Sequence, residues 1–373
     1  MKIVTAIDSF KGSMTSIEAG HAAKEGILAA HPDAQVIIKP LADGGEGTTD
    51  ALIEGLNGKR IPLTVTGPFG DPISCYYGYL PETSTAVIEM AAAAGITLSD
   101  RHDPLAATTR GVGEMILDAV HRGCRDFIIG IGGSATNDGG IGMLSALGFS
   151  FLSENGADAG EGGQALGKVC SVDVSGQDPR LKDCRFRVAC DVTNPLCGKN
   201  GATYIYGPQK GVTEDMKEPL DQAMSNYARV CASFLGKDCS LAEGAGAAGG
   251  LGFAFLSFLN ARLIPGTSLI LEAVGLEEEL KDADIVITGE GRLDHQTAMG
   301  KAPVGVASLA KKYGAKVIAF AGSVTADATA CNDAGIDAFF PIVRGVTTLE
   351  EAMDPANARA NLAACAEQVF RLL

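Results

Sequence analysis

Short apolar runs, Gly-rich turns and helical patterns alternate at both ends of the chain. Residues 2–8 (KIVTAID) read as a buried strand. Thr15 opens a helix with Glu18 three residues later, a capping-box spacing, and Ile17, Ala23 and Ile27 supply its inner stripe. Residues 35–39 (QVIIK) predict the next strand, followed by the loop LADGGEG and a helix over 48–56. The last third repeats this rhythm. Residues 284–288 (DIVIT) are a strand, GEGRLD a loop and 302–313 a helix. Strands at 316–321 and 337–343 follow, with a final helix within 357–372. Strands that alternate with helices predict a parallel sheet.

The middle breaks the rhythm. Residues 59–80 carry Pro62, Pro68 and Pro72 among Thr, Val and Tyr, which predicts twisted, antiparallel or edge strands. Further strands are expected at 85–90, 126–131 and 186–189, and helices at about 105–120, 214–234 and 249–263. Residues 1–70 and 276–373 are therefore expected to form one doubly wound α/β domain. Residues 71–275 would be an inserted α/β domain with mixed strands; two neighbouring single-piece domains are the alternative.

Composition narrows the function classes. With 46% hydrophobic and 20% charged residues the chain can bury a sizeable core. A net charge of −15 excludes a general nucleic-acid binder or a protein that docks on anionic lipid. No apolar stretch approaches membrane-spanning length, and MKIVTAIDSF is not built like a signal peptide. The 10 cysteines are scattered without a C-x-x-C pair, which points to reduced thiols and a cytoplasmic location. The five histidines show no metal spacing.

Glycine is abundant, 48 of 373 residues, and clusters in loops that also carry acids, hydroxyls and Lys or Arg. In open parallel sheets ligands bind at the carboxyl ends of strands, where most of these loops fall. Gly lets the backbone approach a ligand, and amides at helix starts favour anions. Together with Lys and carboxylates this suits phosphate plus Mg²⁺. Standard motifs fit poorly. Gly162–Lys168 approaches a P-loop, but Val169 stands where the Mg²⁺-binding hydroxyl belongs. Gly244, Gly246 and Gly249 match G-x-G-x-x-G without a preceding apolar strand. His295 lies beside Asp294 with no visible partner for base chemistry.

Read in order, DSFKGS, PLADGGEGT, IGIGGSATNDGG, CDVTNPLCG, GPQKG, GAGAAGGLG and TGEGRLDHQTAMGKAP resemble the signature blocks of the bacterial type I glycerate kinases, the glycerate 2-kinase group. The similarity runs from residue 3 to about 305 and continues more weakly to the end. Met14-Thr15-Ser16 departs slightly from a Leu-Ser-Ala-like run. The resemblance implies ATP-dependent phosphorylation of D-glycerate with Mg²⁺, at the 2-hydroxyl. It also implies a flavodoxin-like domain built from both chain ends with a second α/β domain inserted. Phosphorylation at the 3-hydroxyl, or of another small hydroxy or sugar acid, is the alternative. A non-catalytic sensor of a phosphorylated metabolite fits less well, because carboxylates crowd the loops.

The chemistry then distributes roles over residues. Phosphoryl transfer needs positioning and charge neutralisation. Lys11 and Arg292 are candidates for the substrate carboxylate, with Ser9 and Asn194 as further substrate contacts. Asp191 is the first candidate to accept the proton of the attacking hydroxyl and Asp294 the second; Lys11 is also a catalytic candidate. Asp43, Glu46 and Glu290 are candidate Mg²⁺ ligands. The nucleotide phosphates are expected on Gly132, Gly133 and Ser134, with Thr136, Asn137 and Lys210 nearby. Because loops of both expected domains take part, the site is expected in their cleft. Monomer and homodimer both remain open.

Overall fold

The structure is a computed structural model that describes residues 1–373 apart from Asp43 and Glu46. Its strands, in chain order, are β1 (Lys2–Ile7), β2 (Gln35–Ile38), β3 (Lys59–Thr66), β4 (Pro72–Leu80), β5 (Thr85–Glu89), β6 (Asp126–Gly130), β7 (Ser150–Leu152), β8 (Ser171–Asp173), β9 (Arg185–Ala189), β10 (Arg262–Ile264), β11 (Ile285–Leu293), β12 (Lys316–Val324) and β13 (Ala338–Pro341). The chain divides into two compact units, one of residues 1–43, 50–57 and 267–373 and the other of 44–49 and 58–266.

The first unit holds a five-stranded sheet in the order β13-β12-β11-β1-β2, with every pair parallel. Counted within the unit this is the 2-1-3-4-5 order of a flavodoxin-like doubly wound sheet. β1 is apolar on both faces because both faces are covered, and Ile3 and Ile7 are fully buried. Helices Ser16–Ala30 and Pro355–Phe370 pack on the sheet through Ala19, Ala23, Ile27, Leu362 and Phe370. The Thr15–Glu18 capping box forms in both directions, at 3.2 and 2.9 Å.

One local expectation needs correction. GEGRLD is not a loop, because β11 runs on to Leu293 and pairs Glu290 with Ala321 and Arg292 with Ser323. β12 extends equally far and supplies the backbone partners that the apolar count alone did not reveal. The two-residue period places Glu290 and Arg292 on one face of β11.

The second unit contains a six-stranded sheet, β10-β9-β6-β5-β4-β3, and the small antiparallel pair β7-β8. β5, β6, β9 and β10 are parallel, whereas β3 and β4 are antiparallel. Pro62 lies in the edge strand β3, where a missing N–H costs least. β3 therefore belongs to this sheet, although its sequence position had grouped it with the chain ends. The helix expected over 249–263 ends at Phe258, and β10 follows a residue of positive φ, Asn260 at 47°. The helix expected from residue 105 begins at Arg110, because Asp103 ties the N–H groups of Leu105 and Ala106 into a turn. Phe127 stacks on Phe186 at 4.7 Å in the core behind this sheet.

Candidate active site

In the first unit, a cavity of about 450 Å³ opens at the carboxyl ends of β1 and β11. That is the point where the strand order reverses, the favoured ligand site of an open α/β sheet. β1 delivers the turn Asp8–Ser13. Phe10 N–H donates to Met14 O at 2.9 Å and Ser13 N–H to Phe10 O at 2.7 Å. Gly12 takes φ +79° within this turn, and a Cβ there would stand 2.9 Å from Met353 Cε. The turn thus presents Ser9 and Lys11 to the cavity, with Lys11 exposed. β11 delivers Glu290 and Arg292 from its extended end, and Asp294 follows as the cap of the short helix His295–Ala298.

The electrostatics of this cavity are mixed by design of its positions. Thr297 Oγ1 donates to Glu290 Oε1 at 2.6 Å. Burial pushes the Glu290 carboxyl above its usual range, partly offset by the Thr297 bond and by the charges of Lys301 and Lys11. Asp294 Oδ1 accepts from Thr297 N–H at 3.2 Å, while Arg292 and Lys301 each stand 3.7 Å from the same carboxylate. Lys301 was not singled out by sequence reasoning. A signal was present: Pro303 marks the start of helix Ala302–Lys311, so Lys301 occupies its N-cap beside the cavity. His295 is exposed and is not among the residues lining the cavity.

Further candidates lie in the second unit. Lys210, 1% exposed, donates from Nζ to Ser134 Oγ and to Thr136 O, both at 2.7 Å. Asn137 Nδ2 donates to Thr203 Oγ1 at 3.0 Å. The structure therefore brings Ser134, Thr136, Asn137 and Lys210 into one buried cluster, beside exposed Gly132 and Gly133. Burial brings the Lys210 ammonium down to about 7, opposed by the charge of Asp138. Asp138 is itself buried and raised by desolvation, and accepts from Thr109 N–H at 2.9 Å and Thr109 Oγ1 at 2.8 Å. The G-x-G-x-x-G stretch supports this cluster by packing. Gly249 has φ +68°, and a Cβ there would fall 2.0 Å from Thr136 O.

Asp191 follows β9 and is exposed, with Oδ1 accepting from Gly266 N–H at 2.8 Å. Asn194 is pinned on both amide atoms. Its Nδ2 donates to Asn200 O at 2.8 Å, and its Oδ1 accepts from Tyr206 OH at 2.5 Å. The described candidates thus separate into Ser9, Lys11, Glu290, Arg292 and Asp294 in the first unit and Gly132, Gly133, Ser134, Thr136, Asn137, Asp191, Asn194 and Lys210 in the second. Asp43 and Glu46 lie outside the described residues. Among the described residues no group of three His, Cys, Asp or Glu side chains is arranged to hold a metal ion. The P-loop-like stretch at Gly163–Lys168 is a 3₁₀ turn with no strand before it.

Fold and cavity together define the class, a doubly wound α/β protein with a polar cavity at the carboxyl edge of its sheet. Comparison with known proteins specifies it further. The model of the glycerate kinase family matches residues 3–373. A glycerate kinase of Bacillus subtilis (strain 168) is 50% identical over 358 residues, covering 95% of this chain and 94% of that protein. A glycerate 2-kinase of Escherichia coli (strain K12) is 49% identical over 354 residues, covering 94% and 93%. A crystal structure from Salmonella typhimurium LT2, described with the words glycerate kinase 2, superposes with a TM-score of 0.91. It shares 46% identity and covers 99% of this chain and 97% of that one. The chain belongs to the glycerate kinase family.

Proposed function

We propose that the protein transfers the terminal phosphoryl group of ATP to D-glycerate at its 2-hydroxyl, giving 2-phosphoglycerate and ADP. Family membership supports the substrate, and the name of the Escherichia coli relative, glycerate 2-kinase, supports the position. The observation that carries the reading is the gathering of Lys11, Arg292 and Lys301 with three carboxylates, Asp8, Glu290 and Asp294, in one cavity at the switch point. Both substrates are anions, and a phosphoryl group in flight carries charge that must be offset.

The hydroxyl oxygen attacks the γ-phosphorus as the bond to the bridging oxygen breaks, and ADP leaves with that oxygen. The hydroxyl proton needs an acceptor. Asp191 is the first candidate and Asp294 the second. Lys11 and Arg292 would offset carboxylate and phosphate charge, with Ser9 beside them on the same turn. Asn194, held on both amide atoms, would act by fixing the loop after β9. Gly132, Gly133 and Ser134 would present amides to an anion, and Lys210, sealed beneath them, would set the shape of that loop.

Mg²⁺ suits the donor set, because it takes hard oxygen ligands from one or two carboxylates and completes its shell with phosphate and water. Glu290, with Asp43 and Glu46 as the other expected ligands, would hold the ion, which when bound screens phosphate charge. Free thiols throughout and no helix among the described residues able to cross a membrane fit a cytoplasmic enzyme. Phosphorus NMR of the product from D-glycerate and ATP tests the reading. A 2-phosphate signal is expected; a 3-phosphate overturns the position, and no transfer to glycerate overturns the substrate.

A further inference from the structure

The cavity of the first unit is lined by two unlike sets of side chains. One holds Lys11, Arg292, Lys301 and the carboxylates already described. The other is aliphatic, formed by Ile342, Val343, Leu349 and Met353. Leu349 is 76% exposed and Met353 37% exposed, both on the short helix Leu349–Met353, so this set shows apolar surface to solvent.

We propose that this aliphatic set seats the purine ring of the nucleotide, with the phosphates running to Lys11, Arg292 and Lys301. The proposal rests on the kinase reading above and adds where the base lies. Glycerate is a three-carbon acid whose carbons each carry oxygen. It has no apolar face to cover four aliphatic side chains, and it fills a small part of about 450 Å³. A nucleotide has the two-sided chemistry of the cavity, a flat apolar ring at one end and a polyanion at the other. The volume lies in the range of sites for ligands of that size. Ala302, which opens helix Ala302–Lys311, also lines the cavity and brings the positive end of that helix to the phosphate side.

The alternative seat, the loop of Gly132, Gly133 and Ser134, offers backbone amides. Its cation, Lys210, is 1% exposed and committed to Ser134 and Thr136. A triphosphate needs several reachable positive charges, and three line the cavity of the first unit.

The test compares the wild type with a Leu349→Gln/Met353→Gln double variant. Gln is unbranched, uncharged and a good helix former, so it removes apolar surface without repelling phosphate. Calorimetric titration with ADP and with inorganic triphosphate is the readout, alongside the KM values for ATP and glycerate. We expect the variant to bind ADP roughly ten-fold more weakly, with triphosphate binding and the glycerate KM unchanged. Equal ADP affinity in the two proteins overturns the proposal. So does a rise in the glycerate KM in place of the ATP KM, or a wild type that binds ADP no better than triphosphate. A wild type that binds ADP in this way but leaves glycerate unphosphorylated sinks the substrate reading and leaves the purine seat standing.

Discussion

Lys210 Nζ reaches Ser134 Oγ across 76 residues of sequence at 2.7 Å, inside a protein interior that leaves the lysine 1% exposed. An ammonium so placed is a structural pin for the loop after β6, and it is a costly one. Taking the charge out of water brings its pKa from the ordinary 10.5 to about 7.

The pH dependence of stability follows from that displacement. Between about pH 7 and 10.5 the unfolded chain keeps a proton on Lys210 that the folded chain has lost. The unfolded state therefore binds more protons, and stability rises with pH across this window, by at most about 1.4 kcal/mol per pH unit. Asp138, the facing charge, has its own pKa raised from 3.8 by burial and acts with opposite slope from that value upward. Lys210→Met should abolish the rise between pH 7 and 9.5 in denaturant unfolding. An identical slope in the variant would assign the dependence to other groups.

Lys11→Ala should cut kcat/KM on the order of a hundred-fold while leaving the thermal midpoint unchanged, because the side chain is exposed and carries charge toward the cavity. Activity near the wild-type level would remove Lys11 from the machinery.

Thr297→Val should move the acidic limb of the kcat/KM profile to higher pH. The Thr297 hydroxyl bond holds the Glu290 pKa down against burial, so its loss lets that pKa climb further and protonates the carboxylate at a less acidic pH. Thr297→Ser keeps the hydroxyl and should restore the profile. An unmoved limb in Thr297→Val would show that Glu290 does not govern it.

Much of this arrangement was legible in the chain because it rests on periodicity and on local chemistry. The apolar run of β1 and the Thr15–Glu18 capping box announce their elements directly. Pro62 of β3 announces an edge. What was not legible depends on partners far away in sequence. The end of β11 looks like a loop because its Gly and charged residues have no apolar alternation, and only the pairing with β12 makes it a strand. Lys210 is expected near the nucleotide phosphates, but its burial shows only once the cluster around Ser134 and Thr136 closes over it. The aliphatic lining of the cavity was missed because Leu349 and Met353, four apart on one short helix, and Ile342, just after β13, lie on different elements that no local pattern links.

Asp191→Asn separates three roles that the geometry leaves adjacent. The carboxylate follows β9 and accepts from Gly266 N–H at 2.8 Å. An asparagine keeps an acceptor oxygen for that bond, so a residue that only ties Gly266 should tolerate the change with little effect on activity. A base that takes the proton of the attacking hydroxyl is lost on amidation, and the loss falls on the transition state. In that case kcat drops by roughly 10²–10⁴-fold while the KM for glycerate moves little. That is the outcome we expect. A metal ligand would lose one anionic oxygen, and the variant would recover part of its rate as Mg²⁺ is raised. Steady-state kinetics across a Mg²⁺ series reads all three from one protein. An unchanged kcat would leave Asp191 as a tether for the chain leaving β10 and pass the proton to Asp294, whose carboxylate already lies in the cavity with Arg292 and Lys301.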